Sequence, residues 1–216
     1  MGRGRLIAAV VPAVLAAIAV VEASAGAPEA RFALSVRAVV SWTVTTPGFS
    51  SGGCTFGDTT HTTSVSFRSA RPVKVAARAG RLVTRRVVVR GASDPGGPTY
   101  YHGSCANGTN VTWHGDPPPR TKWKSYVRIV SPGRARIALA PAAAMPLAYA
   151  GCQGARARLG ELDLRTVEGR IAPAKLADAR RRSLEVTGSL RRSAGTPGEC
   201  RLVESVVWTA TLRRLS

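Results

Sequence analysis

Residues 31–45 read Arg31-Phe32-Ala33-Leu34-Ser35-Val36-Arg37-Ala38-Val39-Val40-Ser41-Trp42-Thr43-Val44-Thr45. Phe32, Leu34, Val36, Ala38, Val40, Trp42 and Val44 take every second place, and Ser35, Arg37, Ser41, Thr43 and Thr45 fall between them. Successive side chains of an extended chain point to opposite faces, so this is the pattern of a strand with one face in a core and the other in water. It is long for a strand, and Pro47-Gly48 ends it. The C-terminal stretch repeats the habit. Leu202, Val206, Trp208, Ala210 and Leu212 face one way, while Ser205, Thr209, Thr211 and Arg213 face the other. Each stretch carries one tryptophan on its apolar face, Trp42 and Trp208. Both read as core anchors, and the first and last strands are expected to share a core.

Working inward from these two, shorter β-branched runs punctuated by Gly and Pro give further strands. They are Thr62–Phe67, Val73–Val75, Arg81–Arg90, Ser125–Val130, Arg134–Ala140, Leu159–Val167 and Leu184–Leu190, with a turn at Ser131-Pro132-Gly133. One short helix is expected near 173–182, opening on Pro173, a residue tolerated in a first turn. The fold class is therefore all-β: an antiparallel β-sandwich or jelly-roll-like fold. Residues 26–216 are expected to form a single domain, the alternative being two β lobes at 30–130 and 134–216. Gly91–Lys124, rich in Gly, Pro and aromatics, reads as a loop of the kind that carries function.

The N-terminus reads as an address. Arg3 and Arg5 precede sixteen apolar residues, Leu6–Val21, and Ala23-Ser24-Ala25 supplies a small-residue cleavage site. That is a secretory signal peptide over residues 1–25. The run is short of the roughly 20 residues of a membrane span, so membrane association is expected only if the segment stays uncleaved. The destination is secreted or extracytoplasmic, with the cell wall as one such place.

Export sets the use of cysteine. Cys54, Cys105, Cys152 and Cys200 are an even set without a C-x-x-C spacing, which reads as disulfides rather than a zinc site. Four cysteines allow three pairings. Cys54–Cys105 and Cys152–Cys200 are favoured because each closes a contiguous stretch.

The chain has 216 residues, 31 Lys+Arg against 12 Asp+Glu, a formal net charge of +19 and 44% hydrophobic residues. The apolar fraction excludes wholesale disorder. The lack of a second long apolar run excludes a polytopic membrane protein. Arg supplies 27 of the basic residues and Lys only 4, in part the codon bias of a high-GC bacterial genome. The charge still favours anionic partners. Anionic cell-surface polymers are the expected class, and specific nucleic-acid binding is not expected.

Catalytic chemistry finds little purchase. His102 or His114 with Asp94 or Asp116 would make a general-base pair in the right geometry, and an exported hydrolase using residues 91–124 is the competing reading. There is no paired-carboxylate context of a glycosidase. Asp58-x-x-His61 lacks a recognised metal-ligand spacing. No catalytic residue, metal or cofactor is expected. Both Asn residues, Asn107 and Asn110, lie in glycosylation sequons that a bacterial chain seldom uses. The candidate ligand-binding residues are Tyr100, Tyr101, Trp113 and Trp123, rings set beside cations in the manner of saccharide or base stacking. Arg180-Arg181-Arg182, Arg191-Arg192 and Arg213-Arg214 would make one basic surface if the last strands pair as a hairpin.

The leader, the FALSVRAVVSWTV opening, the SFRSARPVKV segment and the closing VVWTATLRR together resemble uncharacterised exported β-rich proteins of high-GC actinobacteria. The resemblance implies export and an all-β fold. It implies no activity and no functional residue. The expected function is that of a secreted or cell-wall-associated, non-catalytic binding or structural module of unknown ligand.

Overall fold

The computed structural model describes residues 30–78, 81–82, 86–117, 119–131, 136–141, 152–196 and 198–215. The expected leader and the Pro132-Gly133 turn lie outside them. The strands are β1 (Ala30–Thr46), β2 (Phe49–Ser51), β3 (Cys54–Phe56), β4 (Thr59–Ser69), β5 (Val73–Arg78), β6 (Arg81–Leu82) and β7 (Arg86–Asp94). They continue with β8 (Thr99–Cys105), β9 (Asn110–Gly115), β10 (Lys122–Val130), β11 (Arg136–Pro141), β12 (Gly169–Arg170), β13 (Ser183–Ala194) and β14 (Arg201–Arg214). Two short helices, α1 (Gln153–Leu159) and α2 (Pro173–Ala177), flank a 3₁₀ turn at Leu164–Thr166.

The architecture is the expected one: antiparallel, all-β and sandwich-like, stapled by Cys54–Cys105 and Cys152–Cys200. β1 organises it. One of its edges pairs with β14 from Phe32 to Thr45. The other pairs with β4 from Arg37 to Thr46 and with β5 from Ala30 to Leu34. From β4 the ladder continues through β7, β10, β11, β12, β13 and β14, which returns to β1. The hydrogen-bonded circuit therefore closes through eight strands. The weakest link is β12, whose contact with β13 is the single pair Gly169 and Gly188.

Alternation puts the apolar side chains inside this ring. Phe32, Leu34, Val36, Ala38, Val40, Trp42 and Val44 of β1 are all buried. They share one cluster with Val65 and Phe67 of β4, Val87 and Val89 of β7, Val127 and Ile129 of β10, and Leu202, Val206, Trp208, Ala210 and Leu212 of β14. Trp42 and Trp208 thus lie in one core. Each indole N–H is buried and satisfied, as a buried donor must be. Trp208 Nε1 donates to the Val167 carbonyl at 2.7 Å. Trp42 Nε1 donates to Glu204 Oε1 at 2.8 Å. Glu204 is itself 5% exposed, and Arg192 neutralises it through Nε to Oε2. The same guanidinium donates to the Leu159 and Gly160 carbonyls at the end of α1, at 2.9 and 3.1 Å. One buried ion pair therefore joins β1, β13, β14 and α1. Arg214 plays a similar part at the other end of β14. Its guanidinium lies 4.9 Å from the Phe32 ring and donates to the carbonyls of Leu176 and Asp178.

Three details differ from the sequence reading. The expected helix spans only Pro173–Ala177, and a second helix, α1, precedes it. Leu159–Val167 is not a strand. Leu164 and Val167 reach the core from the 3₁₀ turn and its end, at a spacing of three that alternation does not describe. Gly91–Lys124 is mostly strand: the end of β7, all of β8 and β9, and the start of β10.

Candidate ligand-binding site

β2, β3, β8 and β9 form a second, four-stranded antiparallel sheet beside the ring. Two connections build it: the one between β1 and β4 supplies β2 and β3, and the one between β7 and β10 supplies β8 and β9. Its base is fixed to the main sheet by His61 of β4, whose Nε2 donates to the Pro95 carbonyl at 2.8 Å. Asp94 meets Arg120 at 3.2 Å across the same neck. Thr59 Oγ1 donates to the Tyr100 carbonyl at 3.2 Å. At the far end Cys54 and Cys105 face each other on β3 and β8 and are joined by their disulfide. The β8–β9 hairpin turns on Asn107, whose Oδ1 accepts from the Thr109 backbone and hydroxyl at 3.1 and 2.6 Å.

The pleat sorts this sheet's rings onto two faces. Tyr101 sits opposite Trp113, and Phe49 sits opposite Phe56. Phe56 is opposite Gly103, where a Cβ would stand 2.7 Å from the phenyl ring. Glycine there lets the Phe56 ring lie flat on the backbone. Phe49 stacks on Phe56 at 4.8 Å between centroids, Tyr101 meets Phe49 edge-on at 5.8 Å, and Trp113 lies against Tyr101 at 5.2 Å. The result is a continuous run of four rings. Phe56, at its base, is buried, while Trp113 is 58% exposed and Phe49 36%. Packed aromatic pairs of this kind contribute about 0.5–1.5 kcal/mol each beyond their buried area, so the rings hold the small sheet together and still present apolar surface to water.

The opposite face carries Tyr100, His102 and His114. Tyr100 is 52% exposed, and its ring lies 6.4 Å from His102 and 6.2 Å from His114. His102 Nδ1 is 3.0 Å from Thr112 Oγ1. His114 and Asp116 approach to 3.9 Å, with side chains 60% and 87% exposed. Asp58 is engaged by the Gly48 backbone N–H at 2.8 Å. Among the described residues no cluster of three or more His, Cys, Asp or Glu could hold a metal ion.

Of the four ring residues singled out by sequence, the structure brings Tyr101 and Trp113 together and separates the other two. Tyr100 is on the reverse face. Trp123 belongs to β10 and points inward, its indole lying across Gly91 and 5.9 Å from the Phe67 ring. A Cβ at Gly91 would stand 2.1 Å from that indole. Phe49 and Phe56 were missed by the sequence reading. They flank the Gly52-Gly53 turn, and their part in the platform appears only once β3 pairs with β8. No protein-family model, curated protein or solved structure matches the chain. Among the described residues, no helix is long and apolar enough to cross a membrane.

Proposed function

We propose that this protein is an exported binding module, secreted or associated with the cell wall, that acts without catalysis. Its ligand presents a flat, partly apolar ring face, as a pyranose does, to the run Phe49–Tyr101–Trp113. The observation that carries this reading is the exposure of that run on a sheet with covalent bracing. A rigid platform loses little conformational freedom on binding, which is where aromatic surface gains over flexible side chains. Two disulfides fit an oxidising compartment. The His114–Asp116 pair lies open to solvent on the other face, and its 3.9 Å separation exceeds hydrogen-bond distance, which speaks for binding rather than hydrolysis.

The test is affinity electrophoresis of the secreted chain through gels containing neutral polysaccharides. Retardation by at least one polymer is expected, and Trp113→Ala should abolish it. Tyr100→Ala, which alters the reverse face, should leave it intact. Retardation unchanged in Trp113→Ala, or equal loss in Tyr100→Ala, contradicts the platform.

A further inference from the structure

The register of the main sheet aligns basic residues that are far apart in sequence. Arg37 of β1 is opposite Arg68 of β4, Arg68 is opposite Arg90 of β7, and Arg90 is opposite Lys124 of β10. All four side chains are exposed and point out of the ring. Adjacent strands are about 4.8 Å apart, so the four cations form a straight row about 14 Å long. The next outward row is Val39, Ser66, Ala92 and Lys122. The two rows line a groove of about 750 Å³. On the other side of the first row Arg86 faces Arg128, with the Arg86 guanidinium 4.8 Å from the Tyr126 ring.

Very little negative charge balances this row. β1, β4, β7 and β10 contain a single acid, Asp94, and it is held by Arg120. Arg37 reaches Glu185 at 3.8 Å. Among the described residues, Arg68, Arg90, Lys122 and Lys124 have no carboxylate partner. Like charges placed directly opposite on a sheet oppose folding. Codon bias alone explains many arginines but not their alignment in one register position on four strands, against that cost.

We propose that this row is a docking site for a linear anionic glycopolymer, one whose sugar or polyol repeats each carry a carboxylate or phosphate. A row of fixed cations suits a chain with regularly spaced charges, and neutralising several at once releases bound counterions. The two rows bear no aromatic ring, and Tyr126, exposed beside them on β10, has Arg86 over its ring, whereas sequence-tolerant binding of single-stranded nucleic acid relies on stacked bases. The disulfides again favour a partner met outside the reducing cytoplasm. The site is distinct from the aromatic platform and does not depend on it.

The test compares the secreted wild-type chain, R68Q/R90Q and R191Q/R213Q for binding to polygalacturonate, to a phosphate-linked polyol and to a single-stranded oligonucleotide of equal charge. R191Q/R213Q removes the same net charge elsewhere on the surface. Wild type should bind one of the first two polymers, and which one identifies the anionic group. R68Q/R90Q should weaken that binding at least tenfold and lower the slope of log K against log salt by about two. R191Q/R213Q should change affinity less than threefold. The melting temperature of R68Q/R90Q should equal or exceed that of wild type, because repulsion along the row is relieved. Equal losses in the two double variants would show a diffuse charge effect and overturn the site. Binding of neither glycopolymer overturns it too, and a preference for the oligonucleotide over both assigns the row to nucleic acid instead. Trp113→Ala, which disables the platform alone, should leave polyanion binding unchanged.

Discussion

Glu204 is a carboxylate with almost no access to water, and what keeps it there is specific. Arg192 supplies the opposite charge, and Trp42 supplies a hydrogen bond to the second oxygen. Removing one partner of such a buried pair leaves the other uncompensated, at a cost of about 3–5 kcal/mol. Glu204→Ala should therefore lower unfolding free energy by about 3 kcal/mol in urea titration, with the secondary structure of the remaining native fraction unchanged. Replacing both partners with apolar residues, Arg192→Met with Glu204→Leu, should recover much of that loss. Asp163 is a milder case on the surface. The Arg165 guanidinium and backbone N–H both bond its carboxylate and hold it below the ordinary aspartate value of 3.8. A carboxyl depressed in the folded state stabilises above its unfolded value and loses that contribution as pH falls through its folded one. NMR titration should place Asp163 below a free aspartate, and Arg165→Ala should move its midpoint up towards the ordinary one, with the backbone N–H of residue 165 holding part of the depression. Because the pair is exposed, its effect on stability at neutral pH is small.

At the scale of elements, the two disulfides do different work although they close loops of similar length. Their sequence separations of 51 and 48 residues each correspond to about 4 kcal/mol of loop entropy. Cys152–Cys200 ties the start of α1 to the connection between β13 and β14, next to the core. Cys54–Cys105 lies in the small sheet, whose residues are outside the main core cluster. Replacing Cys152 and Cys200 with Ser should lower the global unfolding midpoint. Replacing Cys54 and Cys105 with Ser should chiefly raise amide exchange in β3, β8 and β9, with protection in β1 and β14 retained. Comparable loss of protection in β1 would show that the small sheet and the ring unfold as one unit. The same contrast explains what was readable in advance. β1 and β14 announce themselves because one face is buried, which writes a period of two into the residues. β8 and β9 bury no such face. Tyr100-Tyr101-His102 and Trp113-His114 carry rings or polar groups on both sides, so the segment looks like loop. α1 and the 3₁₀ turn pack single apolar residues against the ring at helical spacing, and Leu159–Val167 therefore imitates a strand without being one.

Over the whole molecule, pairing rather than composition decides where charge and aromatic surface accumulate. The β13–β14 hairpin forms as expected, and it gathers two of the three arginine clusters but not the third. Arg182 and Arg214 meet at one end, where the Arg214 N–H donates to the Arg182 carbonyl at 2.8 Å, while Arg191 and Arg192 lie near the other. The aligned cations are instead Arg37, Arg68, Arg90 and Lys124, single residues that nothing in the linear sequence marks. Register across four strands is long-range information, and no local pattern encodes it. Two of the platform's four rings were visible for the opposite reason, since Tyr101 and Trp113 lie close in sequence within an aromatic segment.

The most direct measurement follows from how differently the four tryptophans are exposed. Trp42 and Trp208 are 3% and 0% exposed, Trp123 is part-buried, and Trp113 is 58% exposed. Acrylamide quenching of intrinsic fluorescence should therefore report chiefly on Trp113, and Trp113→Phe should remove most of the quenchable emission. Adding a polysaccharide that retards the protein in gels should protect that emission from acrylamide and shift it to the blue, saturably, in wild type and not in Trp113→Phe. Binding without any change in quenching, or with the same protection in Trp113→Phe, would contradict the assignment of the ligand to the Phe49–Tyr101–Trp113 platform.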